Sequence, residues 1–146
     1  MSKLAKEIMT PSPQCCSAET LLNEVANLMV EADCGEIPVT DSSNRLVGVI
    51  TDRDIVCRVV ADGKNPSAYP AEHCMTTRVI TVPQDAPIGE VLAAMEKHQV
   101  RRVPVVDERG GCVGMISQAD IAWASREKEV AELVREVSRD TGNISR

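Results

Sequence analysis

Two copies of one short pattern carry the hydroxyl and carboxyl side chains whose spacing could do chemistry. Thr51 is followed three residues later by Asp54, and Ser117 is followed three residues later by Asp120. Each copy comes directly after a Gly and two apolar residues, which predicts a turn from a buried strand into a helix. Such a turn presents backbone N–H groups and the positive end of the helix dipole to an anion. Because a carboxylate there can accept hydrogen bonds from both hydroxyls of a ribose, the pattern is suited to a ribose-containing ligand.

The same spacing also has a structural interpretation. A hydroxyl at the N-cap and a carboxylate three residues later form a capping box, which satisfies two backbone N–H groups at the start of a helix. That signature is common at helix starts. The two interpretations are compatible, because the Thr51 hydroxyl can cap the helix while Asp54 turns outward, so both stay open.

The two patterns belong to an internal repeat with an offset of 66 residues. Residues 9–58 align with residues 75–124 without a gap and share 13 identities over 50 positions, among them Pro38 with Pro104. An ungapped repeat of this length indicates a duplicated structural unit. Each copy alone is near the size at which a core is marginal. We therefore predict one core built twice, with the two halves packed face to face.

The composition excludes several classes of function. The 146 residues carry a net charge of −6 and the pI is near 4.9, so no basic face is available to neutralise nucleic-acid phosphates. No apolar run is long enough for a membrane span, and residues 1–7 lack the apolar core of a signal peptide. We therefore expect a cytoplasmic protein that binds neither nucleic acid nor membranes. Its six cysteines are expected to be reduced thiols, with a disulfide at Cys15 or Cys16 as the alternative.

Each copy predicts the order strand, helix, strand, strand, helix, preceded by a short helix. In the first copy, Ser2 is the predicted cap of the short helix and Thr20 is the predicted cap of the next one. Residues 37–40 and 46–50 form a predicted hairpin. Residues 64–70, which contain two prolines, are the predicted linker to the second copy.

After the second copy, the pattern predicts one long amphipathic helix from Ile121 to about Arg139. Charged residues cover most of its surface, and its apolar stripe consists of Trp123, Val130, Leu133, Val134 and Val137. Periodicity does not tell which surface a stripe covers. Packing on the repeats of the same chain and contact with a second copy therefore both stay open.

These features together resemble the cystathionine-β-synthase (CBS) domain family. The resemblance rests on the strand and helix order, on the Met-Thr that opens each copy, on Pro38 and Pro104 after apolar residues, and on the Gly-apolar-apolar-Thr/Ser-x-x-Asp turns. It covers roughly residues 2–124. Two CBS domains in tandem resemble a Bateman module, and the chain is similar to stand-alone two-CBS proteins of the kind that includes hypoxic response proteins.

The resemblance implies an α+β fold, in which two β-α-β-β-α repeats are related by a pseudo-twofold axis. The predicted domains are residues 2–66 and 68–124, and residues 125–146 form a C-terminal helix and tail. Family members can hold adenosine nucleotides in two clefts between the repeats and commonly form homodimers. The implied function is a regulatory module, not an enzyme, with an adenosine nucleotide (AMP, ADP, ATP or NAD-like) as regulatory ligand and no required cofactor.

The resemblance also implies roles for individual residues in the clefts. In the family, residues that match Asp54 and Asp120 hold the ribose, and residues that match Thr51 and Ser117 reach the ribose or phosphate. The predicted adenine contacts are apolar side chains of types that also form cores, namely Ile37 and Pro38 in one cleft and Val79, Ile80, Val103 and Pro104 in the other.

The cations near the two turns differ between the copies. Arg101 and Arg102 match basic residues that touch phosphate in nucleotide-binding relatives, and Arg53 is the cation nearest the first turn. The first copy has Gly35 and Glu36 in place of the two arginines, and Glu36 would repel a phosphate. The two clefts are therefore not expected to have equal affinity. A solvated basic pair at the start of a strand is the alternative for the arginines.

The sequence contains no pattern typical of a metal site or of catalysis. His73, Cys74 and His98 lack the spacing of zinc ligands, and no nucleophile–base pair or Walker-type loop is present. We therefore expect no metal and no catalytic residue. Two hypotheses remain, a ligand-sensing module and a nucleotide-independent interaction module that acts through its dimer and C-terminal helix on an unknown partner protein.

Overall fold

The computed structural model describes residues 3–144, with side chains for residues 3–128 and 130–137. The predicted cap Ser2 lies outside the described residues. The first half contains α1 (Ala5–Ile8), β1 (Thr10–Pro11), α2 (Leu22–Ala32), β2 (Glu36–Thr40), β3 (Leu46–Thr51) and α3 (Asp52–Ile55). The second half contains β4 (Val82–Pro83), α4 (Ile88–His98), β5 (Arg102–Val106), β6 (Cys112–Ser117) and α5 (Gln118–Ile144).

The segment between the halves is more helical than a bare linker. A π-helical turn at Val56–Val60 extends α3, and the chain then turns at Gly63, whose φ of 73° is the left-handed conformation that Gly adopts without strain. Two 3₁₀ turns follow, at Pro66–Ala68 and Ala71–His73. The predicted linker therefore contains one short helical turn and leads directly into another.

The two copies begin their long helices at equivalent positions, but not at the predicted one. Leu21 and Pro87 are the N-cap residues of α2 and α4, and neither helix has a side-chain cap hydrogen bond. The Thr20 hydroxyl instead accepts a hydrogen bond from the backbone N–H of Ser17 at 3.0 Å. The prediction of Thr20 as the N-cap was therefore wrong, because this hydroxyl closes the preceding turn.

The hairpins of the two copies have the same register. Pro38 pairs with Val49 in the first hairpin, and Pro104 pairs with Met115 in the second. Both hairpins have an irregularity near the end of their first strand, after Val39 and Val105 respectively. These pairs all differ by 66 residues, so the duplication predicted from the sequence is present in the backbone.

The opening strand of each copy pairs with the last hairpin strand of the other copy. β1 pairs antiparallel with β6, with Thr10 opposite Met115. In the equivalent bridge Thr76 lies opposite Val49, and the two residues exchange backbone N–H to carbonyl hydrogen bonds of 2.9 Å. The sheets of the two repeats are therefore each completed by a strand from the other repeat.

The short helical turn at the start of each copy is exchanged in the same way. The backbone N–H of Ala5 donates to the carbonyl of Ala86 at 2.8 Å, and the N–H of Ala71 donates to the carbonyl of Thr20 at 2.7 Å. Ala5 is fully buried in the core of the second repeat, and Ala71 is fully buried in the core of the first. The predicted boundary between residues 66 and 68 stays a prediction, since each core draws on both sides of it.

Strand alternation separates the core side chains from the side chains between the repeats. Successive residues of a strand point to opposite faces. On one face of each hairpin, the side chains pack under the helices of the same repeat, with Ile37, Val39 and Ile50 in the first and Val103, Val105 and Ile116 in the second. The opposite faces carry Glu36 and Arg102, the residues that begin β2 and β5.

The C-terminal helix leaves its apolar stripe uncovered by the rest of the chain. Near the start of α5, Ile121 is buried in the second core. The stripe residues are between 55% and 62% exposed, namely Trp123, Val130, Leu133, Val134 and Val137. Packing of this stripe on the repeats of the same chain is therefore excluded, and the helix extends past the predicted end to Ile144. No helix within residues 3–144 is long and apolar enough to cross a membrane.

We predict that Gly48→Ala destabilises the fold by roughly 1–3 kcal/mol, the cost of overpacking a filled site. A Cβ at Gly48 would lie 3.0 Å from both the Met75 sulfur and the Thr76 carbonyl oxygen, where the repeats are joined. The free energy of unfolding in urea measures this loss. Gly89→Ala is the matched control, because a Cβ there meets nothing within 4 Å and should raise helix stability by up to about 1 kcal/mol. Equal stability of the two variants would contradict the close joint.

Candidate functional site

Two clefts lie at equivalent positions between the repeats, and each contains one of the paired turns. The Asp120 cleft has a volume of about 410 Å³ and is lined by Thr10, Ser12, Pro13, Gln14, Ala32, Asp33, Cys34, Glu36, Arg102, Met115, Ser117 and Asp120. The Asp54 cleft has a volume of about 190 Å³ and is lined by Glu36, Val49, Thr51, Asp54, Thr76, Arg78, Val79, Ile80, Val100, Arg102 and Pro104. Most residues of one cleft have a partner 66 positions away in the other.

Each turn forms a complete capping box. The N–H of Asp54 donates to the Thr51 hydroxyl at 3.1 Å, and the N–H of Thr51 donates to Asp54 Oδ2 at 2.9 Å. Ser117 and Asp120 make the same two hydrogen bonds at the same distances. The structural interpretation of both turns is therefore confirmed.

Capping leaves the carboxylates positioned for a second role. Asp54 uses Oδ2 in its cap, while its Oδ1 lies 3.8 Å from Arg58 Nε. Both Asp54 and Asp120 also line a cleft. A carboxylate has about four acceptor positions and the cap uses one of them, so a ligand hydroxyl could bind without breaking the cap.

The predicted apolar walls are found in only one cleft. Val79, Ile80 and Pro104 line the Asp54 cleft. Ile37 and Val103 have no exposed surface because they point into the cores, and Pro38 is also fully buried. Ligand contact by these three side chains is therefore corrected. The reason is strand alternation for Ile37 and Val103, which the apolar pattern alone did not resolve.

The four cations near the clefts have different positions. Arg102 lines both clefts. Arg101 lines a separate surface cavity with Gln99 and Gln118, so its predicted place beside Arg102 at the ligand is corrected. This follows because neighbouring residues at the start of a strand face opposite ways. Arg53 is exposed on α3 and is not among the lining residues of either cleft.

Arg78 is a lining residue that sequence reasoning missed. It lies in the Asp54 cleft together with Arg102. Its equivalent in the Asp120 cleft is Ser12, which carries no charge. The signal that could have found it is its position, directly before the predicted wall residues Val79 and Ile80 and two residues after Thr76, in the exchanged segment.

Glu36 is the charged group that both clefts share with Arg102. One of its carboxylate oxygens, Oε2, is buried and has no hydrogen-bond partner among the described residues. Burial is the main cause that raises the pKa of Glu36 to about 7, Arg102 acts in the opposite direction, and Asp54 adds to the rise. Glu36 and Arg102 do not form an ion pair within the described side chains. A carboxylate is therefore held between the clefts without a partner that satisfies it.

The comparison with known families now decides the assignment of the fold. A model of the CBS domain matches residues 5–61 and again residues 71–127. The chain belongs to the CBS domain family. It is a tandem CBS pair, so the family resemblance and the α+β fold with a C-terminal helix are both confirmed.

Two solved or curated relatives show how much of the CBS pair is shared. Hypoxic response protein 1 of Mycobacterium tuberculosis is 36% identical over 133 residues, which cover 91% of this chain and 92% of that protein. A crystal structure of Hypoxic Response Protein I with two coordinated zinc ions has a TM-score of 0.76 at 38% identity, over 82% of this chain and 97% of that one. The match to a stand-alone CBS pair therefore spans nearly the full length of both.

A third relative was solved with ligands bound. The CBS domain pair of protein MJ0100, in complex with 5′-methylthioadenosine and S-adenosyl-L-methionine, has a TM-score of 0.75 at 29% identity. It covers 88% of this chain and 99% of that one. As for metals, no three His, Cys, Asp or Glu side chains are grouped to hold an ion in the part of this chain whose side chains are described.

We predict that Glu36 makes the CBS pair less stable as the pH rises. Its pKa is about 7 in the folded protein against an ordinary value of 4.5. The native state therefore binds more protons than the unfolded chain between those values, and stability falls as pH rises through that window. Glu36→Gln should remove this decline and raise the free energy of unfolding at pH 8 by roughly 1 kcal/mol, the scale of one unsatisfied buried polar group.

Urea unfolding at pH 5 and pH 8 measures this effect. Glu90→Gln, which removes an exposed carboxylate on α4, is the control and should keep the pH dependence of the natural protein. The interpretation of Glu36 is wrong if Glu36→Gln and Glu90→Gln lose stability equally between the two pH values.

Proposed function

We propose that this CBS pair is a regulatory module that binds an adenosine nucleotide in the clefts between its repeats. The observation that carries the proposal is the convergence of a capped carboxylate, a hydroxyl and Arg102 in each of two equivalent clefts. The ligands of the MJ0100 pair, 5′-methylthioadenosine and S-adenosyl-L-methionine, support an adenosine group as the shared part.

The proposed roles follow from the groups that each cleft offers. Asp54 or Asp120 accepts the ribose hydroxyls, as an acceptor-only group that meets two donors. Thr51 or Ser117 lies at the helix start, where backbone N–H groups favour negative charge. Arg102 neutralises phosphate from a position that both clefts share.

The Asp54 cleft offers more to a nucleotide than a ribose site alone. Arg78 adds a second cation to Arg102, and Val79, Ile80 and Pro104 supply apolar surface for the base. These side chains replace Arg101, Ile37, Pro38 and Val103 as the proposed contacts. The module requires no cofactor in this proposal, and a cytoplasmic location remains a prediction from the sequence.

Regulation requires that the ligand favour one arrangement of the module over another, since binding shifts an equilibrium only by its differential affinity. The clefts lie where the two repeats meet, so a ligand that contacts both repeats could change how they are held. The readout would be the way in which the module meets a second copy or a partner protein.

We predict that Asp120→Asn weakens the binding of a nucleotide that occupies the Asp120 cleft, by roughly 1.5–3 kcal/mol, the scale of a hydrogen bond to a charged group. Calorimetric titration with AMP, ATP and adenosine measures the affinity. Natural protein with ligand at about a hundredfold over Kd should gain roughly 2.7 kcal/mol of stability, which is visible as a melting shift. Asp54→Asn tests the other cleft in the same way.

The matched control is Asp107→Asn. Asp107 also accepts backbone hydrogen bonds in a turn, from Arg109 and Gly111 at 2.9 Å, but it lines neither cleft. It should lower stability without any change in affinity. If Asp54→Asn and Asp120→Asn behave like this control, the turns are caps only and the proposed ligand function fails.

A second candidate function is a nucleotide-independent interaction module that works as a homodimer. The observation that favours it is the exposed apolar stripe of α5, accompanied on other helices by Val30, which is 80% exposed, and Val56, which is 56% exposed. Exposed apolar faces of this kind are typical of protein contacts. The completed capping boxes also agree with this candidate, since they need no ligand.

We predict that the natural protein sediments as a dimer at micromolar concentration and that Leu133→Glu weakens the dimer. A charge in the middle of the stripe would have to be buried without a partner, which costs at least about 1–3 kcal/mol. Glu132→Lys, an exposed neighbour outside the stripe, is the control and should leave the dimer intact. A single 15.8 kDa species for the natural protein would contradict the homodimer.

A further inference from the structure

The two clefts differ in charge although their backbones are equivalent. In the Asp120 cleft, the carboxylates of Asp33, Glu36 and Asp120 face one cation, Arg102. In the Asp54 cleft, the carboxylates of Glu36 and Asp54 face two cations, Arg78 and Arg102. The first cleft therefore has a net negative lining and the second has a balanced one.

The negative cleft is also the one with room for a ligand. Small-molecule sites usually measure about 300–1,000 Å³, and the Asp120 cleft has about 410 Å³ against about 190 Å³ for the Asp54 cleft. Like charges a few ångströms apart repel strongly in a partly buried site. A phosphate in the larger cleft would therefore meet three carboxylates with only Arg102 to offset them.

Glu36 points to the ligand that the larger cleft would accept. Its Oε2 is buried without a hydrogen-bond partner, which is an arrangement that native proteins avoid unless a ligand or ion supplies the partner. Glu36 stands at the position that Arg102 has in the other repeat, so one duplicated position carries opposite charges. A donor or positive charge on a ligand would satisfy the carboxylate.

We infer that Glu36 determines ligand specificity, so that the Asp120 cleft takes an adenosine with a positively charged 5′ substituent and excludes phosphate. Phosphate-bearing adenosine is then directed to Arg78 and Arg102 in the Asp54 cleft. This inference rests on the proposed function, since it assigns ligand classes to the same two clefts. It predicts that a cationic and an anionic adenosine bind together and do not compete.

The test uses three probes that share adenosine and differ in charge. These are S-adenosylmethionine with its positive sulfonium, AMP with its negative phosphate, and adenosine itself. In calorimetric titrations of the full chain, Glu36→Gln should weaken S-adenosylmethionine by about tenfold or more and strengthen AMP, because a hydrogen bond between charged groups is lost and a repulsion is removed. Opposite signs for the two probes are the expected result.

Two further variants keep the test independent of one substitution. Asp33→Asn removes another carboxylate of the larger cleft, at a left-handed position (φ 51°) that Asn tolerates, and should move both affinities in the same directions as Glu36→Gln. Arg78→Ser copies the equivalent Ser12 and should weaken AMP. Glu90→Gln on α4, outside both clefts, should change no affinity, and melting curves show that each variant is folded.

The outcomes separate this inference from the proposed function. If Glu36→Gln moves S-adenosylmethionine and AMP in the same direction, or moves neither, Glu36 does not set specificity while adenosine binding stands. Competition between the two probes in the natural protein would also overturn the sorting of ligands. If none of the three probes binds, the proposed function fails and this inference fails with it.

Discussion

The fold depends on backbone pairing between the two repeats. The opening strand of each repeat pairs with the last hairpin strand of the other, through hydrogen bonds such as the two of 2.9 Å between Val49 and Thr76. Gly48 and its equivalent Gly114 leave the space that Met75 and Met9 fill at these joints. Thr76 and Thr10 also line the clefts. The clefts are therefore formed by the pairing itself and exist only when both repeats are folded together.

Duplication gave the two clefts the same backbone, and a few substitutions made them chemically different. Each keeps a hydroxyl and a carboxylate that cap a helix start, so both turns are stable without a ligand. The difference lies in Glu36 against Arg102 and in Ser12 against Arg78. Glu36 is costly to the apo protein, because burial raises its pKa to about 7. A buried carboxylate kept at such a cost is more readily explained by a ligand than by stability.

Much of the fold could be predicted from the sequence, because an ungapped repeat requires the same elements twice. The hairpins and the capping boxes followed from local patterns. The exchange of the opening segments could not be predicted, since periodicity does not state which repeat a short strand joins. For the same reason Arg78 was missed. The apolar wall was assigned partly to Ile37 and Val103 because apolar residue types do not distinguish a cleft from a core, whereas strand alternation does.

The central claim is that an adenosine ligand binds in the clefts between the repeats, and a crystal structure grown with AMP tests it most directly. The account predicts that the ribose hydroxyls lie within hydrogen-bond distance of the Asp54 or Asp120 carboxylate, with the phosphate beside Arg102. The capping bonds of the occupied turn should remain intact. AMP bound away from both clefts, or empty clefts at a saturating concentration, would contradict the account.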